Sequence, residues 1–204
     1  MVIAVLISLS PLISQCGPGV DPATTAAIIH VESGGNSLAI HDNTTGNIYR
    51  PLNKTEAIVT SARLLRAGHS VDLGLMQINS KHITAYRVID PTITLADLFD
   101  PCENITAGTR ILADFYRRYY RLSAAPHVTL LKALSGYNTG SPYTGKEYLN
   151  KILEAAGSRV RVPYVRDTEK RYVPKREKHG RFGDGLTLID RRSTPAEMQE
   201  GPYR

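Results

Sequence analysis

The chain has 204 residues, of which 42% are hydrophobic, with no tryptophan, two cysteines and a formal charge of +6. This is enough for one core of ordinary domain size plus an extension. From Ser158 onward there are twelve Lys/Arg against seven Asp/Glu, net +5, so the body is nearly neutral and the basic excess lies at the C-terminal end. The basic part has neither a recognised nucleic-acid fold nor an aromatic platform, which argues against nucleic-acid binding. No C-x-x-C or Cys/His spacing suggests a metal site, and no cofactor motif is present. Two well-separated cysteines, Cys16 and Cys102, fit one structural disulfide in an oxidising compartment, or two buried thiols.

Met1–Ser14 is apolar and uncharged. It is too short to span a membrane. It resembles the core of a secretory signal without the positive n-region; the other reading is the first core segment of the domain. Asp21-Pro22 then supplies an N-cap and a first-turn proline. The helix that follows has Ala26, Ala27, Ile28, Ile29 and Val31 as its apolar body and stops at Gly34-Gly35. Glu32 therefore sits at the C-terminal end of a mostly buried helix. The helix dipole and poor solvation both raise a carboxyl pKa there, which suits a general acid working near neutral pH. Taken alone, the stretch is better read as a solvated glutamate at a frayed helix end, since perturbed sites are a minority.

Residues 36–53 read as a loop. Asn53-Lys54-Thr55-Glu56 has capping-box form and predicts a helix to about Ala67, with Gly68 as its stop. Asp72–Asn79 is a compact apolar segment containing Gln77 and Asn79. Asp90-Pro91 marks a turn and Leu95–Phe99 a short helical piece. Asp100-Pro101 opens a long helix, Glu103 to Leu122, with Ile105, Leu112, Phe115 and Tyr119 inward and Arg110, Arg117, Arg118 and Arg121 outward. Pro126–Tyr137 and Gly145–Ala156 are further helices, stopped at Asn138-Thr139-Gly140 and at Gly157. Strand signals are weak throughout, so the expected fold is all-α. The chain divides into an apolar segment, 1–15, a compact helical domain, 16–157, and a basic, disordered tail, 158–204. Val/Tyr/Pro pieces in the tail, such as Val162-Pro163-Tyr164-Val165, suit adding a strand to the sheet edge of a partner.

Three pieces stand in order: Glu32-Ser33, Gly74-Leu75-Met76-Gln77-Ile78-Asn79, and Ser135-Gly136-Tyr137-Asn138-Thr139-Gly140. Each is a weak signal alone: a helix end, a core turn and a helix stop. Together with Phe99-Asp100-Pro101-Cys102-Glu103-Asn104-Ile105 they resemble the Glu-Ser, Gly-Leu-Met-Gln and Tyr-Asn-x-Gly motifs of lytic transglycosylases with the lysozyme-like (SLT) fold. The branch most similar in form is the peptidoglycan-cleaving components of type IV secretion and conjugation systems, and the resemblance covers roughly residues 16–150.

The resemblance implies a lysozyme-like fold, a peptidoglycan substrate, a location in the periplasm of a Gram-negative bacterium, and a single catalytic carboxylate, Glu32. Glu32 would protonate the glycosidic oxygen between N-acetylmuramic acid and N-acetylglucosamine. The muramic C6 hydroxyl would then attack C1, leaving a 1,6-anhydro end. Tyr137 would lie against Glu32 as the second catalytic residue. Ser33, His41, Met76, Gln77, Asn79 and Asn138 would line the sugar groove, each with a plainer role in local packing or capping. His41 departs from the hydroxyl residue common at its place, and Gly35 and Ser37 stand where many relatives have an aromatic and a proline. A Cys16–Cys102 bridge would tie the N-terminal segment to the long helix, and the tail would recruit secretion components. Two rivals remain: a lysozyme-type hydrolase with Asp42 as second carboxylate, and a glycan-gripping assembly protein without catalysis.

Overall fold

The computed structural model describes residues 2–82, 93–121 and 125–162, with side chains from Leu9 onward. Helix α1 (Val2–Cys16) ends with Ile13 and Cys16 buried and packs on α2 (Pro22–Ser33) and α4 (Pro101–Tyr120). Helices α2 to α4 start where a side-chain cap is met; α5 and α6 start without one. Asp21 accepts from the N–H groups of Ala23 and Thr24 at the start of α2. Asn53 accepts from Glu56 N at 2.9 Å to open α3 (Lys54–Arg66), while the Glu56 carboxylate reaches back to Leu52 N at 2.8 Å. Asp100 accepts from Cys102 and Glu103 to open α4. A 3-10 turn, Asp97–Phe99, precedes it.

Helix α4 buries Ile105, Leu112, Phe115 and Tyr119 and leaves Arg110, Arg117, Arg118 and Arg121 exposed. It lies along α5 (Pro126–Thr139), which in turn packs on α6 (Lys146–Ala155). The α4–α5 approach is close because Gly136 has no side chain: a Cβ there would sit 2.7 Å from Phe115 and Tyr119 ring atoms. Cys16 and Cys102 are bonded across a separation of 86 residues, joining the end of α1 to the first turn of α4. The core is continuous through these helices, with Ile28, Ile29, Leu112, Leu134 and Ile152 fully enclosed.

The expected all-α fold needs one correction. The chain also forms a small antiparallel sheet of β1 (Ile40–Asp42), β2 (Ile48–Tyr49), β3 (Val71–Leu73) and β4 (Ile78–Asn79), in the order β2-β1-β3-β4. Strands of two or three residues are too short to show a period of two in the sequence. One face carries Ile40, Val71, Leu73 and Ile78, all buried. The other carries a row in register, His41 opposite Asp72 opposite Asn79.

Ser158–Val162 folds back on α6. Ser158 N–H donates to the Leu153 carbonyl, Val162 N–H donates to Asn150 Oδ1 at 2.8 Å, and Val162 packs against the core. The rest of the tail and the Asp90-Pro91 turn lie outside the described residues. Among the described residues no helix is long and apolar enough to cross a membrane.

Candidate active site

Gly34 takes φ 64° and ends α2 directly after Ser33, so Glu32 is held in the last helical turn. Its side chain is partly buried. Three groups act on its carboxyl: the Tyr148 hydroxyl and the Lys151 ammonium of α6, and the Asp72 carboxylate of β3. Desolvation is the largest influence and raises the pKa, Tyr148 lowers it, Asp72 raises it and Lys151 lowers it; the result is about 7. A carboxyl with that value is protonated in a large fraction of molecules at neutral pH and loses its proton readily, as a general acid must.

Tyr148 was not singled out in the sequence. Its buried hydroxyl makes no hydrogen bond among the described residues and lies beside Glu32, which acts on it. Catalytic contacts are often loose before substrate binds. Burial and the neighbouring Glu32 charge push the Tyr148 pKa well above the ordinary phenol value, so it stays a donor. Its only signal in the sequence is an aromatic at an inward position of an amphipathic helix. The Tyr137 hydroxyl donates to the Met76 carbonyl at 2.7 Å, and Tyr137 also acts on the Tyr148 phenol.

The Gly74–Gln77 turn is built from three sides. The Ser33 hydroxyl donates to the Leu75 carbonyl at 2.8 Å, which pins the Glu32 end of α2 to this turn, and accepts from Gly35 N. Ser33 is thus occupied in the scaffold. Buried Asn104 of α4 accepts from Met76 N and donates to the Leu73 and Leu98 carbonyls at 2.8–2.9 Å. Gly74 adopts φ 75°, and a Cβ there would collide with the Asn104 amide and the Leu98 carbonyl. Gln77, at φ 49°, donates through Nε2 to the Ala39 and Gly74 carbonyls, at 3.2 and 2.9 Å. That leaves its amide oxygen for a ligand. The Met76 side chain is fully enclosed, so it lines no groove; its contribution is the carbonyl that Tyr137 binds.

Asn79 donates to Asp72 Oδ1 at 2.6 Å and to Ser70 Oγ at 3.1 Å. His41 Nδ1 stands 3.8 Å from Asp72 Oδ2. These three share the open face of the sheet. Asn138 is exposed in the last turn of α5. Asp42, the second carboxylate of the hydrolase reading, is fully buried. It accepts from Thr44 N, from the Thr45 hydroxyl and from His69 Nδ1 at 2.9, 2.6 and 2.8 Å. Burial alone would raise its pKa, but the bonds from Thr45, His69 and Thr44 outweigh that and hold it at about 2. Two of these bonds come from the β1–β2 turn and the third from His69 after α3, and the fully enclosed side chain has no open face with which to activate a water.

A helix-end carboxyl with a raised pKa, beside a tyrosine and a polar sheet face, is an arrangement suited to acid–base chemistry. Residues 12–158 match the transglycosylase SLT domain family, and the chain belongs to that family. It is 34% identical over 167 residues to protein virB1 of Agrobacterium fabrum, covering 80% of this chain and 65% of the relative. It is 34% identical over 170 residues to the type IV secretion system protein virB1 of Brucella abortus, covering 77% and 69%. To protein virB1 of Rhizobium radiobacter it is 35% identical over 148 residues, covering 72% and 59%. The chain thus spans about two thirds of the length of these curated relatives. No solved structure matches it.

Proposed function

We propose that the chain is a peptidoglycan lytic transglycosylase that opens the cell wall locally for a type IV secretion or conjugation apparatus, working in the periplasm of a Gram-negative bacterium. The observation that carries this reading is Glu32, a helix-end carboxyl whose pKa desolvation lifts to about 7, in a chain of the SLT family.

In the first step Glu32 gives its proton to the glycosidic oxygen linking N-acetylmuramic acid to N-acetylglucosamine, and the C1–O bond breaks. Positive charge grows at C1 of the muramic residue. Glu32, now ionised, takes the proton of the C6 hydroxyl as that oxygen bonds to C1. Atoms balance without water, and one carboxyl serves as acid and then base. The Tyr148 hydroxyl steadies the ionised state, and the Gln77 amide oxygen and the His41 and Asn79 side chains meet the sugar. That Asp42 is enclosed and bonded to Thr44, Thr45 and His69 supports a reaction without a water-activating base at that place.

The Cys16–Cys102 bond suits an oxidising compartment, and the apolar 1–15 segment is read as export information. The basic tail is assigned to contacts with secretion components. Truncation after Val162, which spares the contact to Asn150, should leave glycan cleavage intact and reduce secretion in cells; unchanged secretion would remove the partner role.

The test is mass spectrometry of soluble fragments from purified peptidoglycan treated with the wild type and with Glu32→Gln. Anhydromuramyl fragments, absent with the variant, are expected. Reducing ends that take up solvent oxygen would make the enzyme a hydrolase. No fragments from either protein, with glycan still bound, would make it a gripping protein.

A further inference from the structure

We propose that the outer edge of the sheet, Ile48 of β2 with Arg50 beyond it, is a docking strip for the stem peptide that muramic acid carries, so that peptide-bearing glycan is preferred over bare glycan. This rests on the reading of the chain as a peptidoglycan-cleaving enzyme. Strand register places Ile48 opposite His41, which in turn lies opposite Asp72. Ile48 thus ends the row on the open face of the sheet, and it is the apolar member of that row. Asp72 acts on the Glu32 carboxyl, and two strand spacings of about 4.8 Å separate Asp72 from Ile48. The lactyl arm and first two residues of a stem peptide reach across such a gap, at about 3.3–3.6 Å per residue.

The backbone of β2 makes this edge fit a peptide. Asp42 N–H donates to the Asn47 carbonyl at 2.9 Å, and Asn43 N–H donates to the Ser70 carbonyl at 2.9 Å on the other side. Alternate residues of β1 therefore bond to β2 and to β3, which makes His41–Ile48 a pair without hydrogen bonds between its members. The N–H and C=O of Ile48 then point away from β1. Strand β2 is the outer one in the order β2-β1-β3-β4, so both groups face outward, where an extended peptide can pair with them. The Ile48 side chain is 65% exposed, an apolar contact for the lactyl and alanyl methyl groups. Tyr49 turns the other way and packs against the core. Arg50, two residues beyond Ile48, is exposed and makes no ion pair among the described residues. Stem peptides are acidic, and a guanidinium pairs well with a carboxylate. The strip is held from behind: Asp42 accepts from His69, and the Thr44 hydroxyl accepts from Ser70 N–H, which ties the β1–β2 turn to the start of β3.

The experiment compares soluble, uncross-linked glycan strands that keep their stem peptides with the same strands stripped by an amidase. The full chain is used as wild type, Ile48→Asp, Ile48→Val and Arg50→Gln, each checked by thermal melting. The wild type should show a KM about 5- to 10-fold lower on peptide-bearing strands. Ile48→Asp and Arg50→Gln should each remove about 3-fold or more of that preference with kcat little changed, and Ile48→Val should keep it. Equal KM on the two strands for the wild type, which would leave the edge to a partner protein, overturns the proposal. So does a loss in the variants that is the same on both strands. A second measurement stands apart from cleavage. In nitrogen-15 amide spectra of Glu32→Gln, peptide-bearing strands should shift the Ile48 amide and stripped strands should leave it in place. If the wild type cleaves neither strand but the Ile48 amide responds in this way, the cleavage reading falls and the docking strip stands; cleavage with an unmoved Ile48 amide gives the reverse.

Discussion

At the residue scale the site turns on one proton. Glu32 must hold it to act, so fragment release should fall as pH rises through about 7, the value desolvation gives it. The same shift bears on stability. A carboxyl that binds its proton more tightly folded than unfolded supports the fold fully below about 4.5 and loses that support as pH rises to about 7. Above pH 8 the charged group is a burden. Glu32→Gln should then be more stable than the wild type by about 3 kcal/mol, the rise from 4.5 to about 7 taken at about 1.4 kcal/mol per pKa unit, and equal to it near pH 4. Urea melts at the two pH values check this; a variant less stable at pH 8 would mean the carboxylate is well solvated. Tyr148→Phe is the second residue-scale prediction. Its hydroxyl favours ionised Glu32, so the alkaline limb should move up while kcat drops about 10-fold or more through loss of support for the base step. A limb that stays in place would show that the hydroxyl does not serve Glu32.

At the scale of elements the site is a junction of α2, the β3–β4 turn and α4. Asn104 holds it: one side chain satisfies Met76 N and two carbonyls inside the core. Asn104→Leu has similar volume but strands those groups, each at about 1–3 kcal/mol. We expect a loss of at least about 3 kcal/mol in urea unfolding, with cleavage falling even at temperatures where the variant remains folded, because the turn carrying Gln77 loosens. A loss under 1 kcal/mol would mean that water replaces the amide. Gly74 belongs to the same joint, since any Cβ there meets the Asn104 amide.

At the scale of the molecule the Cys16–Cys102 bond matters most. It closes a separation of 86 residues, for which loop-closure entropy gives about 4–5 kcal/mol, with measured values commonly about 2–5. It fastens α1 to α4, and α1 packs on α2, the helix that carries Glu32. Cys16→Ser with Cys102→Ser should lower unfolding free energy by about 2–5 kcal/mol, and reduction of the wild type should produce the same loss. A reduced protein with an unchanged melt would place the constraint elsewhere, in the buried contacts of Ile13 and Val20.

The sequence by itself determined α2, α3 and the start of α4, because those boundaries are local chemistry: Asp21-Pro22 and Gly34, Asn53 with Glu56 and Gly68, and Asp100-Pro101. It also marked Glu32 as the candidate acid, since a carboxylate in the last turn before Gly34 lies at the negative end of the helix dipole. The three ordered motifs were enough to mark the family. Only the tertiary structure decided which groups meet that acid. Tyr148 comes from a helix more than a hundred residues away, and the Tyr137 hydroxyl ties that region to the Met76 carbonyl. Asp72 and Asp42 are both acids on short strands, yet one faces the open side of the sheet and the other is enclosed and bonded to Thr44, Thr45 and His69. Strand register separates them, and register is fixed by long-range pairing of strands too short to leave a pattern in the chain.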